Sequence, residues 1–158
     1  GRSRIVGEMT HFIDLLNSIT GSSISRVHAE RIGGDNQSAV NNDNIVVTLK
    51  FEEGSVANLT YAASGDKAYS REKIEIFFEG NTVVSEDFRI SKKHFGGKAE
   101  TFKTHGQEMG YREELKHFIS LFKGEESRTM TLKEAFQTMR TVFAIETSLS
   151  TGQAIRLS

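Results

Sequence analysis

Residues 44–62 read NIVVTLKFEEGSVANLTYA, and the reading of this stretch decides the fold. Its first half alternates: Ile45, Val47, Leu49 and Phe51 fall on one side, Val46, Thr48 and Lys50 on the other, the period of a half-buried strand. Glu52-Glu53-Gly54-Ser55 has turn chemistry, and VANLTYAAS follows as a second strand, with Asn58 and Thr60 opposite its apolar set. An antiparallel hairpin with one apolar and one mixed face is the predicted seed of the sheet.

Outward from this hairpin the same period continues. Upstream, SISRVHAERI alternates loosely and GGDNQSAVNND is loop chemistry. Downstream, GDKAYSRE is a polar loop, KIEIFFEG a third strand and TVVSEDFR a fourth, after an EGN turn. ISKKHF and KAETFKT around Gly96-Gly97 form a weaker hairpin of low apolar content, suited to an exposed edge. Helical periods flank the strands. Met9, Phe12, Ile13, Leu16 and Ile19 form one stripe, stopped by Gly21; Tyr111, Leu115, Phe118, Ile119 and Phe122 form a second, stopped by Gly124. A third helix opens with the capping box Thr131-x-x-Glu134, runs through Ala135, Phe136, Met139, Val142, Phe143 and Leu149, and stops at Gly152. The predicted architecture is α+β, a largely antiparallel open sheet with helices packed on one face, over a single domain spanning 1–158.

Composition narrows the function classes. The chain has 158 residues, 26% charged and 37% hydrophobic, with a formal net charge of -1, so no global bias favours nucleic acid or an anionic membrane. It has no cysteine, which removes thiolate nucleophiles and Cys-type zinc sites, and no proline, which leaves turns to Gly, Asn and Asp. No apolar run approaches the ~20 residues of a membrane helix, and GRSRIVGE lacks an apolar leader core, so a cytoplasmic protein is expected. Neither a G-x-G-x-x-G nor a phosphate-binding P-loop occurs, and a G-x-S-x-G nucleophile elbow is absent.

The chemistry-bearing stretch is GEMTHFIDLL, residues 7–16. On a helical wheel Glu8 falls inside the apolar arc between Leu15 and Ile19, His11 sits just outside it and Asp14 farther round. A carboxylate on a buried side needs a partner or a task, and His11 one turn on is the candidate. One reading makes Glu8 a helix N-terminal carboxylate bonded to a boundary histidine. Another is metallic, since Glu8-x-x-His11 and Glu114-x-x-His117 repeat the Glu-x-x-His unit of di-iron bundles, but that architecture needs four facing helices and three are predicted here; no metal is expected.

RIVGEMTHFIDLLNSITG, DNIVVTLKFEEGSVANLTYAASGDK, EKIEIFFEG and FAIETSLSTGQAI together resemble the C-terminal domain of the glucose-fructose oxidoreductase and inositol dehydrogenase (Gfo/Idh/MocA) family. The likeness rests on the H-x-x-D-L-L core from His11 to Leu16, the V-x-L-x-F strand from Val47 to Phe51, and the Glu53-Gly54-Ser55 turn. It implies the substrate-binding and dimerisation half of an NAD(P)-dependent oxidoreductase acting on a sugar, cyclitol or similar polyol. The Rossmann half that would hold NAD or NADP is absent from residues 1–158, so this chain alone is expected to bind no cofactor and to be inactive.

The resemblance also assigns roles. His11 matches the helix histidine that accepts the substrate hydroxyl proton. The family's aspartate four positions earlier falls on Gly7, and Glu8 beside it is the replacement, turned about 100° around the helix. Asp14 matches the H-x-x-D aspartate and orients at the substrate site. In the loop SGDKAYSREK, Lys67, Tyr69 and Arg71 become hydroxyl or carboxylate contacts to substrate, against the alternative of a solvated hairpin loop. The mixed face carrying Val46, Thr48, Asn58 and Thr60 becomes a homodimer surface. The reading from a different class is a non-catalytic ligand-binding or dimerisation module that has kept the fold.

Overall fold

The computed structural model describes residues 4–33, 44–107, 110–125 and 130–157. The elements run α1 (Arg4–Thr20), β1 (Ile24–Arg31), β2 (Asn44–Phe51), β3 (Val56–Ala62), β4 (Lys73–Phe78), β5 (Asn81–Glu86), β6 (Ile90–Phe95), β7 (Lys98–Lys103), α2 (Tyr111–Phe122), α3 (Leu132–Thr151) and β8 (Ile155–Arg156). This is the expected helix, strand meander and helix pair. The strands do not form one sheet: they make two antiparallel four-stranded sheets, ordered β3-β2-β1-β8 and β4-β5-β6-β7. The polar loop 63–72 separates β3 from β4 in sequence. Chain contacts follow that division, with one compact unit of Gly1–Ser64 and Met130–Ser158 and another of Gly65–Thr129.

In the first unit the decisive hairpin pairs as read, with Val47 opposite Leu59 and Leu49 opposite Ala57. Ile45, Val47, Leu49 and Phe51 are buried, and Val27 and Ala29 of β1 join them on the same face. The loose alternation of β1 has a physical cause. The register shifts between Ile24 and Arg26, so Ile24 and Val27 both face inward despite odd spacing. Met9 and Ile13 of α1 and Val142 and Ile145 of α3 complete this core.

α3 is capped as its sequence requires. The Thr131 hydroxyl accepts from the Glu134 amide, and the Glu134 carboxylate accepts from the Thr131 amide at 2.7 Å. Its inward face differs from the apolar stripe. Phe136 and Phe143 are exposed, while Thr138, Thr141 and Ser148 are buried. Each buried hydroxyl has a partner, which removes the desolvation cost: Thr141 donates to the Gln137 carbonyl at 3.0 Å and Ser148 to the Gln153 carbonyl at 2.7 Å. Ser148 also accepts from the Ala29 amide at 2.9 Å. Two-residue β8, paired with Arg26 and Val27, begins opposite Val27 and runs away from that point along the β1 edge. β8 is too short for a periodic signal in the sequence.

In the second unit, tight turns set the sheet. Glu79-Gly80 and Gly96-Gly97 all have positive φ, 45° and 75° in the first pair and 51° and 73° in the second, the backbone of two-residue hairpin turns. The α2 stripe forms, with Phe118 and Phe122 rings edge-on at 4.9 Å, but none of its residues is buried.

Candidate active site and substrate cleft

The predicted residues fall on two elements, one in each unit. Glu8, His11 and Asp14 lie on α1 of the first. Gly21 ends this helix with φ 64° and its amide donating to the Asn17 carbonyl at 2.9 Å, a left-handed terminus that places the chain for β1. Met9 and Ile13, four apart, are the buried contacts, and Phe12 and Leu16 pack beside them.

That orientation corrects the wheel-based placement of Glu8. Burial centres on Met9 and Ile13, so the edge of the apolar arc turns outward: Glu8 is exposed and Ile19 is 41% exposed. The Glu8 carboxylate carries no desolvation cost that would demand a partner, and no hydrogen bond or ion pair among the described residues joins it to His11. His11 is also exposed, so both side chains are open to a ligand on one outward helical surface three residues apart. Asp14 is half-buried and accepts a hydrogen bond from the buried Thr138 hydroxyl of α3. That bond ties α1 to α3 at the turn that follows His11. Among the described residues no three His, Asp or Glu side chains cluster as a metal site would require.

Lys67, Tyr69 and Arg71 lie in the second unit and are brought together. They line a cleft of about 480 Å³ with Asp87, Arg89 and Gln107. The loop is shaped locally: the Asp66 carboxylate accepts from the Ala68 amide at 2.8 Å and the Asp66 carbonyl from the Tyr69 amide at 3.1 Å, an Asx-type turn. Its far end is fastened to the β5–β6 turn by a reciprocal pair. The Glu72 amide donates to the Asp87 carboxylate at 3.0 Å and the Asp87 amide to the Glu72 carbonyl at 2.8 Å. The Arg89 amide donates to the Glu86 carbonyl at 3.0 Å and its carbonyl accepts from the Thr104 amide at 2.9 Å.

Arg89 was hidden from sequence reasoning, which placed it at the end of a strand. Its membership of the cleft depends on loop 65–72 meeting the β5–β6 turn, a non-local contact with no local signature. The described strands contain no parallel strand–helix unit of the Rossmann kind. Every strand pairing among the described residues is antiparallel. No helix among the described residues is long and apolar enough to cross a membrane.

Comparison with solved structures recovers this architecture. An oxidoreductase from Agrobacterium radiobacter in complex with NAD+, L-tartaric acid and magnesium matches with TM-score 0.76 and 16% identity, covering 94% of this chain and 47% of that one. The aldose-aldose oxidoreductase of Caulobacter crescentus, complexed with glycerol, matches with TM-score 0.73 and 16% identity, over 94% and 45% of the two chains. The UDP-N-acetylglucosamine 3-dehydrogenase of Acidithiobacillus ferrooxidans matches with TM-score 0.74 and 15% identity, over 90% and 45%. The chain thus spans about half the length of these structures, and at such identities the likeness is one of fold. No curated protein matches it. The model of the oxidoreductase family's C-terminal alpha/beta domain, Gfo/Idh/MocA, matches residues 5–157, and the chain belongs to that family.

Proposed function

We propose that this chain is the substrate-binding half of an NAD(P)-dependent oxidoreductase that oxidises a hydroxyl of a sugar, cyclitol or similar polyol. The observation that carries the reading is the family match over residues 5–157, an oxidoreductase C-terminal domain. Neighbours of the same fold include an NAD+ complex and two enzymes named for sugar substrates, which supports the substrate class. The cofactor is held outside the described residues, and it supplies the hydride acceptor. The contribution of this chain is the proton. Oxidation of an alcohol releases a hydride and a proton, and the exposed His11 imidazole takes the proton from the substrate hydroxyl. Asp14 positions the helix through Thr138 rather than touching the proton, and Glu8 lies beside His11 on the same outward surface, open to the substrate.

The test is turnover of the polypeptide that joins this chain to a dinucleotide-binding half. His11→Ala should lower kcat about 10²-fold or more with the fold retained. Near-normal turnover in a folded variant would remove His11 from the base role. A non-catalytic module of the same fold is the second reading. Gly7 standing at the resembled family's aspartate position favours it, and it predicts no turnover on any polyol with ligand binding retained.

The reading extends to a homodimer and to the cytoplasm. Val46 faces Thr60, and the Thr48 hydroxyl bonds Asn58 at 3.0 Å, on an exposed sheet face of mixed character such as subunit interfaces use. Sedimentation equilibrium should give twice the chain mass, and Val46→Asp with Thr60→Asp should give the monomer.

A further inference from the structure

The cleft of the second unit has an unbalanced charge. Lys67, Arg71 and Arg89 line it against one carboxylate, Asp87. Asp87 is committed to the Glu72 amide, and none of the three cations forms an ion pair among the described residues. Glu72 itself does not line the cleft, and its Oε2 is buried without a hydrogen-bond partner among the described residues. Like charges gathered on one concave surface repel each other, and an anion seated among them removes that repulsion.

We propose that this cleft seats the phosphate group of a phosphorylated small-molecule substrate. A phosphate monoester carries about -1.5 to -2 charge near neutral pH and three acceptor oxygens. Two planar guanidinium groups and an ammonium supply donors of the matching kind, and three positive charges against one negative match a dianion. A carboxylate, with one charge and two oxygens, leaves positive charge unmatched. The Tyr69 side chain, 70% exposed at the same cleft, offers a neutral donor to a hydroxyl next to the phosphate. That the phosphate belongs to a substrate rests on the oxidoreductase reading; that the cleft holds a phosphate does not.

The 158-residue chain is titrated at constant ionic strength with inorganic phosphate, glucose 6-phosphate, glucose, gluconate and NADP, following amide resonances of residues 65–72 and 86–90. Saturable shifts are expected with inorganic phosphate and glucose 6-phosphate, none with glucose, and binding at least about tenfold weaker with gluconate. Arg71→Gln and Arg89→Gln should each weaken binding about tenfold, the scale of one charge-assisted hydrogen bond, with unchanged resonances elsewhere reporting an intact fold. Lys92→Gln, on β6 outside the cleft, should change nothing. Non-saturating shifts, indifference to both arginine variants, or gluconate binding as tightly would each overturn the proposal. Saturation by NADP alone would make it a cofactor contact, and by inorganic phosphate alone a free-anion site; either also overturns it. Turnover is not read here, so an inactive full-length enzyme would defeat the oxidoreductase reading while leaving the phosphate seat standing.

Discussion

The two compact units are both built on four antiparallel strands, yet they solve the folding problem differently. In the first, β2 lies between two neighbours and shares one core with residues of α1 and α3, and Ile45, Val47 and Leu49 have no exposed surface. In the second, β4 and β6 alternate between more and less exposed positions, but no described residue of 65–129 is buried. Alternation therefore fixes which side a residue takes, while burial depends on what covers that side. The difference also separates the chemistry: the first unit presents its candidate base from a packed helix, the second its charged cleft from loops.

The largest test of this contrast is truncation on each side of it. Phe51→Ala should cost roughly 3–5 kcal/mol because the ring is fully enclosed and the cavity cannot collapse, whereas Ile76→Ala on half-buried β4 should cost about 1 kcal/mol or less. Hydrogen exchange of β2 and β4 amides in the two variants reads the effects separately. Equal losses would mean that the second unit has a dry core of its own.

A smaller effect is expected at the buried hydroxyl that closes the β1 edge. Ser148→Ala leaves the Ala29 amide and the Gln153 carbonyl without their partner, a loss of about 1–3 kcal/mol. The Ala29 amide should then exchange faster while the amides of β4–β7 keep their rates. A melting point equal to that of the parent would show that another group had taken over both bonds.

The smallest effects are at exposed charges, and they divide the units by pH. Hydrogen bonds from Ser22 and then Ser55 hold the Glu53 carboxyl below its ordinary value of 4.5. Its stabilisation is present above that value and is lost as pH falls through the lowered one. Bonding and attraction to Glu75, 2.8 Å away, raise Lys73 above 10.5, so its contribution is present below that value and is lost as pH rises through the raised one. Glu53→Gln should flatten the acid response of the β2–β3 turn alone, and Lys73→Gln the alkaline response of β4 alone, in amide shifts recorded across pH. A response that crosses from one unit to the other would break the separation.

Local chemistry made much of this molecule legible in its sequence. Period two in residues 44–62, the Thr131–Glu134 box and the glycine stops at 21, 124 and 152 each act within a few residues, so they specify strands, a helix start and helix ends without reference to the rest of the chain. The cluster of Lys67, Tyr69 and Arg71 on one loop was legible for the same reason, and the family followed from the order of such pieces. What the sequence could not decide was which of two possible faces each helix would bury. Thr138 and Ser148 go inside and Phe136 and Phe143 stay outside because hydroxyl partners 124 and 119 residues away, Asp14 and the Ala29 amide, exist only once α1, β1 and α3 have packed. The division into two sheets, the outward turn of Glu8 and the entry of Arg89 into the cleft have the same origin. Each is set by contacts between segments distant in sequence, and their energies depend on which groups the fold brings together rather than on the residues that flank them.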